Sequence, residues 1–263
     1  YPTMAIAREF ISIGGRVTLM IAGNHAAEQL ELAAREGLPA VEVPTVRLPC
    51  NLFQALLFPF RFWKCIRVAK RAMKPLHPDV FLGMGSFASV PQCLAAPSNV
   101  PLYLHEGNSF MGKANRWLTK LRKVAGVTLS LPLDDKRQLH GASSFFVGMP
   151  LRESIIQASQ SGKYPHDYVE SLGLKSGIFT ILVFGGSQGA QALNDLLLRT
   201  VLHISDLAGK FQVIHLTGTD DNEQLIENYA KAGIDAAVFK STSDIHQCYL
   251  AADVVFCRAG ASS

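Results

Sequence analysis

Short apolar runs alternate along the chain with stretches whose apolar residues recur at helical spacing, the pattern of an α/β protein. Met4, Ile6, Ala7, Phe10 and Ile11 mark one face of a helix over Thr3–Ser12, and Pro2 suits its first turn. A strand is expected at Val17–Ala22, a helix at Ala26–Glu36, and a short strand at Ala40–Val43. A long helical stretch runs from about Leu52 to Lys74, with Pro59 expected to break or kink it. Strand Val80–Leu82 opens on the loop Gly83–Ser89, and strand Leu102–Leu104 ends at His105-Glu106. Helix Lys113–Lys123 and strands Val127–Leu129 and Phe145–Val147 follow. After the polar stretch Ser159–His166 the alternation restarts with strand Ile178–Phe184 and helix Ala192–Thr200. It continues through strands Phe211–Leu216, Ala236–Phe239 and Asp253–Cys257.

Two rounds of βαβ, separated near residue 148, predict two Rossmann-like domains facing a cleft, residues 1–148 and 149–263. Ligands of such sheets bind beyond the carboxyl ends of the strands. His105, Ser187, Thr217 and Arg258 follow predicted strand ends, so all four are expected to face the cleft. The first helix has no strand before it, and the last strand has no helix after it. The sequence therefore reads as an internal portion of a longer protein, with both domains incomplete.

The most chemically suggestive segment is Gly185-Gly186-Ser187-Gln188-Gly189-Ala190, between a buried strand and a helix. Such a turn aims backbone N–H groups and the positive end of the helix dipole at one point, which suits a phosphate. Glycines allow close approach, and Ser187 and Gln188 add side-chain hydrogen bonds. A tight strand-to-helix turn without a ligand is the plainer alternative. The turn lacks Gly-x-Gly-x-x-Gly and no acid ends the next strand, which argues against a dinucleotide. It also lacks the Gly-Lys-Ser/Thr of a P-loop. A nucleotide-sugar diphosphate fits better than NAD or ATP.

Composition changes the picture in two places. Of 263 residues, 48% are hydrophobic and 17% charged, which excludes a disordered chain; no apolar run is long enough to span a bilayer. Cys50, Cys65, Cys93, Cys248 and Cys257 are odd in number and widely spaced, and read as reduced core thiols, not disulfides or zinc ligands. The net charge of +4 matters less than its placement. Residues 52–74 carry Arg61, Lys64, Arg67, Lys70, Arg71 and Lys74 and no acid, interleaved with Phe53, Phe58, Phe60, Phe62 and Trp63. An aromatic segment leading into a basic helix suits the interface of an anionic membrane, with Phe58, Phe60, Arg61, Trp63 and Lys64 as the contacts. A helix with a core face and a solvated basic face is the alternative. Nucleic acid is disfavoured, because no binding motif accompanies the charge.

Several segments, in order along the chain, resemble the MurG family of glycosyltransferases. They are Pro2-Thr3-Met4-Ala5-Ile6-Ala7, then Gly83-Met84-Gly85-Ser86-Phe87-Ala88-Ser89, then His105-Glu106-Gly107-Asn108 with Asn115-Arg116. Val147-Gly148-Met149-Pro150-Leu151-Arg152, the Gly185–Ala190 turn with Asn194, and Ala252-Asp253 through Cys257-Arg258-Ala259-Gly260-Ala261 complete the series. Departures from the family pattern include Gly107 for Gln, Met149 for Asn, Ser86-Phe87 for Gly-Tyr, Ser241-Thr242 for Phe-Ile, Ser262-Ser263 for Leu-Thr, and Leu216 where Gln is common.

The resemblance implies a GT-B fold and an inverting transfer of N-acetylglucosamine from UDP-N-acetylglucosamine to undecaprenyl-linked lipid I, forming lipid II. It also implies peripheral attachment to the cytoplasmic face of the bacterial plasma membrane, no cofactor and no required metal. By position, Asn108, Arg152 and Ser187 match donor-contacting residues, Thr242 matches a position whose backbone meets uracil, and Ala261, Ser262 and Ser263 match the start of the donor loop; Gln188 is a further candidate. Gly83, Gly85 and Ser86 form the acceptor-side loop. Other readings are a helix cap for Asn108 and a hinge ion pair for Arg152; His105 and Glu106 read as a buried hydrogen-bonded pair supporting the loop in preference to a catalytic role. The family's candidate base, a His, lies upstream of Tyr1 and its donor-binding Glu lies beyond Ser263. The catalytic group is therefore unassigned here, and the polypeptide as given is expected to be inactive although its parent is active. Transfer to another lipid acceptor and a non-catalytic nucleotide-sugar-binding role are the competing readings.

Overall fold

The structure is a computed structural model and describes residues 2–186, 189–258 and 260. It divides into two compact units, Tyr1–Arg152 and Glu153–Ser263.

The N-terminal unit begins with α1 (Pro2–Ser12), β1 (Leu19–Ile21), α2 (Ala26–Arg35), β2 (Ala40–Glu42) and α3 (Leu52–Met73). It continues with β3 (Phe81–Gly83), α4 (Val90–Ala95), β4 (Leu102–Glu106), α5 (Lys113–Leu121), β5 (Gly126–Leu129) and β6 (Ser144–Phe146). β1 and β2 pair in parallel, and a second parallel sheet runs in the order β3-β4-β5-β6. β4 is central and covered on both faces, as all-parallel strands usually are. Its Leu102 and Leu104 pack with Val90, Met111, Leu118 and Val127 in one continuous core.

The C-terminal unit contains α6 (Glu153–Ser161), α7 (His166–Ser171), β7 (Phe179–Phe184), α8 (Gln191–Thr200) and β8 (Phe211–Leu216), then α9 (Glu223–Lys231), β9 (Ala236–Phe239), α10 (Ile245–Ala251) and β10 (Val254–Cys257). Its parallel sheet has the order β10-β7-β8-β9. The two-residue period of a strand splits the side chains of β7 and β8 between two cores. Leu182, Phe184, Ile214 and Leu216 face one side with Val169, Cys248 and Ala251. Val183 and Val213 face the other with Val201, Leu225 and Tyr229.

Most of the expected elements are present, with edges moved by one to three residues. Pro59 does not break α3, which is one continuous helix. The carbonyl that Pro59 leaves without an intrahelical donor belongs to Ala55, an exposed residue that water can reach. The polar stretch at 159–166 hides the end of α6, whose amphipathic pattern is short. β4 extends through His105 and Glu106, so these two pair with Thr128 and Leu129 inside the sheet instead of following its end. All five cysteines are free, but only Cys65, Cys93 and Cys248 are buried; Cys50 is exposed and Cys257 half-buried, which corrects the reading of five core thiols.

Ile214 is fully buried at the centre of the C-terminal sheet. Ile214→Ala is expected to lower the stability of this unit by about 2–5 kcal/mol, the usual cost of a cavity of that size. Urea unfolding followed by circular dichroism checks this; a loss near zero would mean that the site collapses around the cavity or that Ile214 is not core.

Candidate functional site

In the C-terminal unit the glycine turn follows β7 and leads into α8. Gly186 and Gly189 have positive φ, 87° and 69°. A Cβ on Gly189 would lie 2.5 Å from the carbonyl oxygen of Thr217, and one on Gly185 would lie 2.2 Å from the backbone nitrogen of Ala190. No larger residue fits either place. The N-cap of α8 is Ala190, which makes no side-chain cap bond, so the capping residue itself does not occupy the first N–H groups of the helix. Arg258, just after β10, donates from Nε to the carbonyl of Gly185 at 2.8 Å and places its guanidinium beside Gly186. A helix N-terminus, glycine N–H groups and a fixed guanidinium in one place have the chemistry that suits an anion. Arg258 was expected only as a residue after a strand end; its bond to the turn makes it a site candidate in its own right. Ser187, Gln188, Ala261, Ser262 and Ser263 lie outside the described residues.

The turn is braced from beneath by a polar chain that sequence reading missed. Asn194 of α8 is buried and donates from Nδ2 to the Thr217 carbonyl at 3.0 Å, the same oxygen against which Gly189 packs. Its Oδ1 must then accept, and His215 Nε2 lies 3.2 Å away. His215 Nδ1 in turn faces the Tyr229 hydroxyl at 3.3 Å. The partners settle the tautomer: Tyr229 donates to Nδ1 and Nε2–H donates to Asn194. Burial holds the His215 ring down at about 4, so it stays neutral, and the same burial raises the Tyr229 phenol. Thr217 itself is buried and its hydroxyl donates to the carbonyl of Thr219, so it does not present a side chain beyond the strand end as expected. Asn194 was named with the turn in the family resemblance; its bonds to Thr217 and His215 were not visible in the sequence. Thr242 is half-buried, and its hydroxyl accepts from the N–H of Asp244 at 2.9 Å.

In the N-terminal unit the organising group is Glu106, a buried carboxylate with four donors. Oε1 accepts from the backbone N–H of Asn108 at 3.1 Å and from its Nδ2 at 3.0 Å. Oε2 accepts from Gly112 N–H at 2.8 Å and from Asn115 Nδ2 at 3.0 Å. Asn108 is therefore exposed with its amide nitrogen occupied and its oxygen turned away from Glu106. It does not cap a helix; α5 is entered through Gly112. His105 and Glu106 do not bond to each other. The His105 ring lies between Thr128 Oγ1 at 3.0 Å and Ser130 Oγ at 3.2 Å, with its pKa lowered by burial and partly restored by Glu106. It is a core histidine and not one facing a cleft.

The glycine loop after β3, expected from the sequence to lie on the acceptor side, packs on the same network. A Cβ on Gly83 would lie 2.6 Å from Cys93 Sγ, and Gly85, at φ 81°, sits against the His105 carbonyl and Asn115 Nδ2. Ser86 is exposed, in extended conformation, before a short 3-10 turn. Arg152 is half-buried at the end of the unit. On α3, Phe60 and Trp63 are exposed, as are Arg61 and Lys64, and Arg67 stacks over the Trp63 ring at 4.5 Å. Phe58 is half-buried and stacks on Phe62 instead. Among the described residues no helix is long and apolar enough to cross a membrane, and no group of three or more His, Cys, Asp and Glu side chains is placed to hold a metal ion.

Two parallel α/β units, the second with a glycine turn between its first strand and the following helix, are the architecture of the GT-B class of glycosyltransferases. The glycosyltransferase family 28 N-terminal domain matches residues 1–127 and its C-terminal domain matches residues 180–263. The UDP-N-acetylglucosamine–N-acetylmuramyl-(pentapeptide) pyrophosphoryl-undecaprenol N-acetylglucosamine transferase of Geobacter sp. (strain M21) is 31% identical, over 100% of this chain and 68% of its own length. The transferase of the same name from Citrifermentans bemidjiense is 30% identical over 100% and 71%. MurG of Acinetobacter baumannii superposes with a TM-score of 0.67 at 24% identity, covering 100% of this chain and 68% of that one. A UDP-GlcNAc 2-epimerase from Neisseria meningitidis shares the fold at 12% identity, with a TM-score of 0.65 over 97% of this chain and 73% of its own. The chain belongs to the MurG family of glycosyltransferases.

The neutral His215 ring makes stability depend on pH. The unfolded ring titrates near 6.5 and the folded one at about 4, so the unfolded chain takes up the proton first as pH falls. The contribution is whole above pH 6.5 and is lost towards pH 4, in total on the order of 3 kcal/mol. His215→Gln keeps a donor for Asn194 but does not titrate. Between pH 6.5 and 5 the wild type is expected to lose about 1 kcal/mol per pH unit more than the variant in urea unfolding; parallel slopes would assign the titration elsewhere.

Proposed function

We propose that this protein transfers N-acetylglucosamine from UDP-N-acetylglucosamine to lipid I, the undecaprenyl-diphosphate-linked muramyl pentapeptide, giving lipid II. The observation that carries this reading is the glycine turn, with its helix N-terminus and Arg258, in a chain matched along its whole length by transferases of that name. The turn supplies what the reaction needs. As the acceptor hydroxyl attacks the anomeric carbon, the bond to UDP breaks and negative charge grows on the diphosphate. Backbone N–H groups and a fixed cation stabilise that charge without having to reorganise.

In this reading the donor is held by Asn108, Arg152, Ser187, Gln188, Thr242 and the segment Ala261-Ser262-Ser263, with Arg258 added from its bond to the turn. Asn108 offers an oxygen, because Glu106 holds its amide nitrogen, so it would accept a hydrogen bond from the donor sugar. Gly83, Gly85 and Ser86 form the acceptor side. The exposed Phe60, Arg61, Trp63 and Lys64 of α3 meet the anionic surface of the membrane from its cytoplasmic face, with Phe58 contributing from behind. A protein held this way is peripheral.

UDP binding measured by calorimetry and transfer of labelled N-acetylglucosamine to a lipid I analogue by the full-length gene product test the reading. Arg258→Ala is expected to weaken UDP binding by about tenfold or more, the scale of one charge-assisted hydrogen bond. UDP binding with no transfer to lipid I would move the acceptor to another lipid; absence of UDP binding would remove the donor assignment.

A further inference from the structure

A groove of about 580 Å³ opens on the N-terminal unit beside α5. Its floor is apolar: Leu48, Phe87 and Trp117, the last two in tilted ring contact with centroids 6.4 Å apart. Its rim is cationic. Lys113, Arg116 and Lys120 line it from α5, and Arg137 and His140 line it from the turn after β5. Lys113, Arg116, Trp117 and Lys120 stand at i, i+3, i+4 and i+7, so they share one face of the helix. Ala114, Asn115, Leu118 and Thr119 take the buried face.

The charge arrangement does not serve the fold. Like charges three and four apart on a helix repel, and among the described residues none of these three cations meets a carboxylate. The one acid of the groove, Asp135, is already engaged: its Oδ1 accepts from Arg137 Nε and from Arg137 N–H, both at 3.0 Å. His140 is held in place by Thr119, 3.0 Å from its Nδ1. An aromatic floor beneath several unmatched cations suits an anionic amphiphile. The cations extend along about 10 Å of helix, longer than a single phosphate. Two linked phosphoryl groups would engage successive cations while an attached hydrocarbon lay over Phe87 and Trp117.

We propose that this groove seats the diphosphate and first isoprene units of the polyprenyl acceptor. The proposal rests on the lipid-diphosphate acceptor named under Proposed function. Phe87 belongs at once to the floor and to the acceptor-side loop, which ties the groove to that side of the reaction.

The chain has two tryptophans, Trp63 and Trp117. In a Trp63→Phe background Trp117 alone reports on the groove. Titration with farnesyl diphosphate is expected to give a saturable change in its fluorescence, at a concentration at least tenfold below that needed with inorganic diphosphate. Arg116→Ala and, separately, Lys120→Ala should each raise the apparent Kd for farnesyl diphosphate by fivefold or more, while Lys210→Ala, on the other unit, leaves it unchanged. Equal affinity for inorganic diphosphate would reduce the groove to a general anion site and overturn the proposal. So would an equal response to phosphatidylglycerol vesicles, which would make it a phospholipid contact, or no saturable change at all. The measurement needs no donor and no transfer, so binding without transfer to lipid I would sink the proposed reaction and leave the groove assignment standing. Transfer without binding would do the reverse.

Discussion

A carboxyl group removed from water has to be met by hydrogen-bond partners on both oxygens, or the fold around it does not hold. Glu106 is met by four, and each fixes a different part of the N-terminal unit. Asn108 is held by its backbone and its side chain, Gly112 opens α5 in the right place, and Asn115 ties α5 back to the end of β4. Because Asn115 also bonds the His105 carbonyl, against which Gly85 packs, the loop after β3 rests on the same carboxylate. The loop after β4, the start of α5 and the glycine loop after β3 thus share one anchor.

The C-terminal unit solves a related problem without charge. Its glycine turn approaches the Thr217 loop closely enough that only glycine fits at 189, and that contact has to be held at a fixed distance. Asn194 and His215 hold it through neutral hydrogen bonds whose direction is set from Tyr229 outward. A neutral network is compatible with the anion-binding role proposed for the turn, because it adds no competing negative charge beneath it.

Much of this was legible in the chain of residues, and the reasons differ by element. β7 and β8 are apolar for most of their length because both faces are covered, and such runs bounded by glycine or polar residues read plainly as strands. The position of the turn after β7 was legible because paired glycines end an apolar run and a helical pattern follows directly. α6 and α7 were not: they are short and polar-faced, and their apolar residues are too few to show a period. Pro59 misled because local propensity puts a break there, whereas the helix runs on through an exposed carbonyl that water satisfies. His105 was legible as a buried residue supporting the loop but not as to its partners: β4 runs two residues further than expected, so the ring lies inside the sheet between Thr128 and Ser130 and not against Glu106 or a cleft. The anchoring role of Glu106 was only half visible, since a sequence shows an acid among polar neighbours and not the four donors that converge on it.

The missing N–H at Pro59 has a mechanical consequence for α3. The part of the helix after it is fastened to the body of the unit through Cys65, Ala69 and Met73, all buried. The part before it carries Leu52, Phe53 and Leu56, which are exposed. A helix resists bending because each turn is tied to the next, and here one tie is absent where the exposed and the fastened parts join. The first two turns can therefore change their angle at that joint at a lower cost than elsewhere in the helix, so an apolar tip can settle against an uneven surface while its root stays fixed.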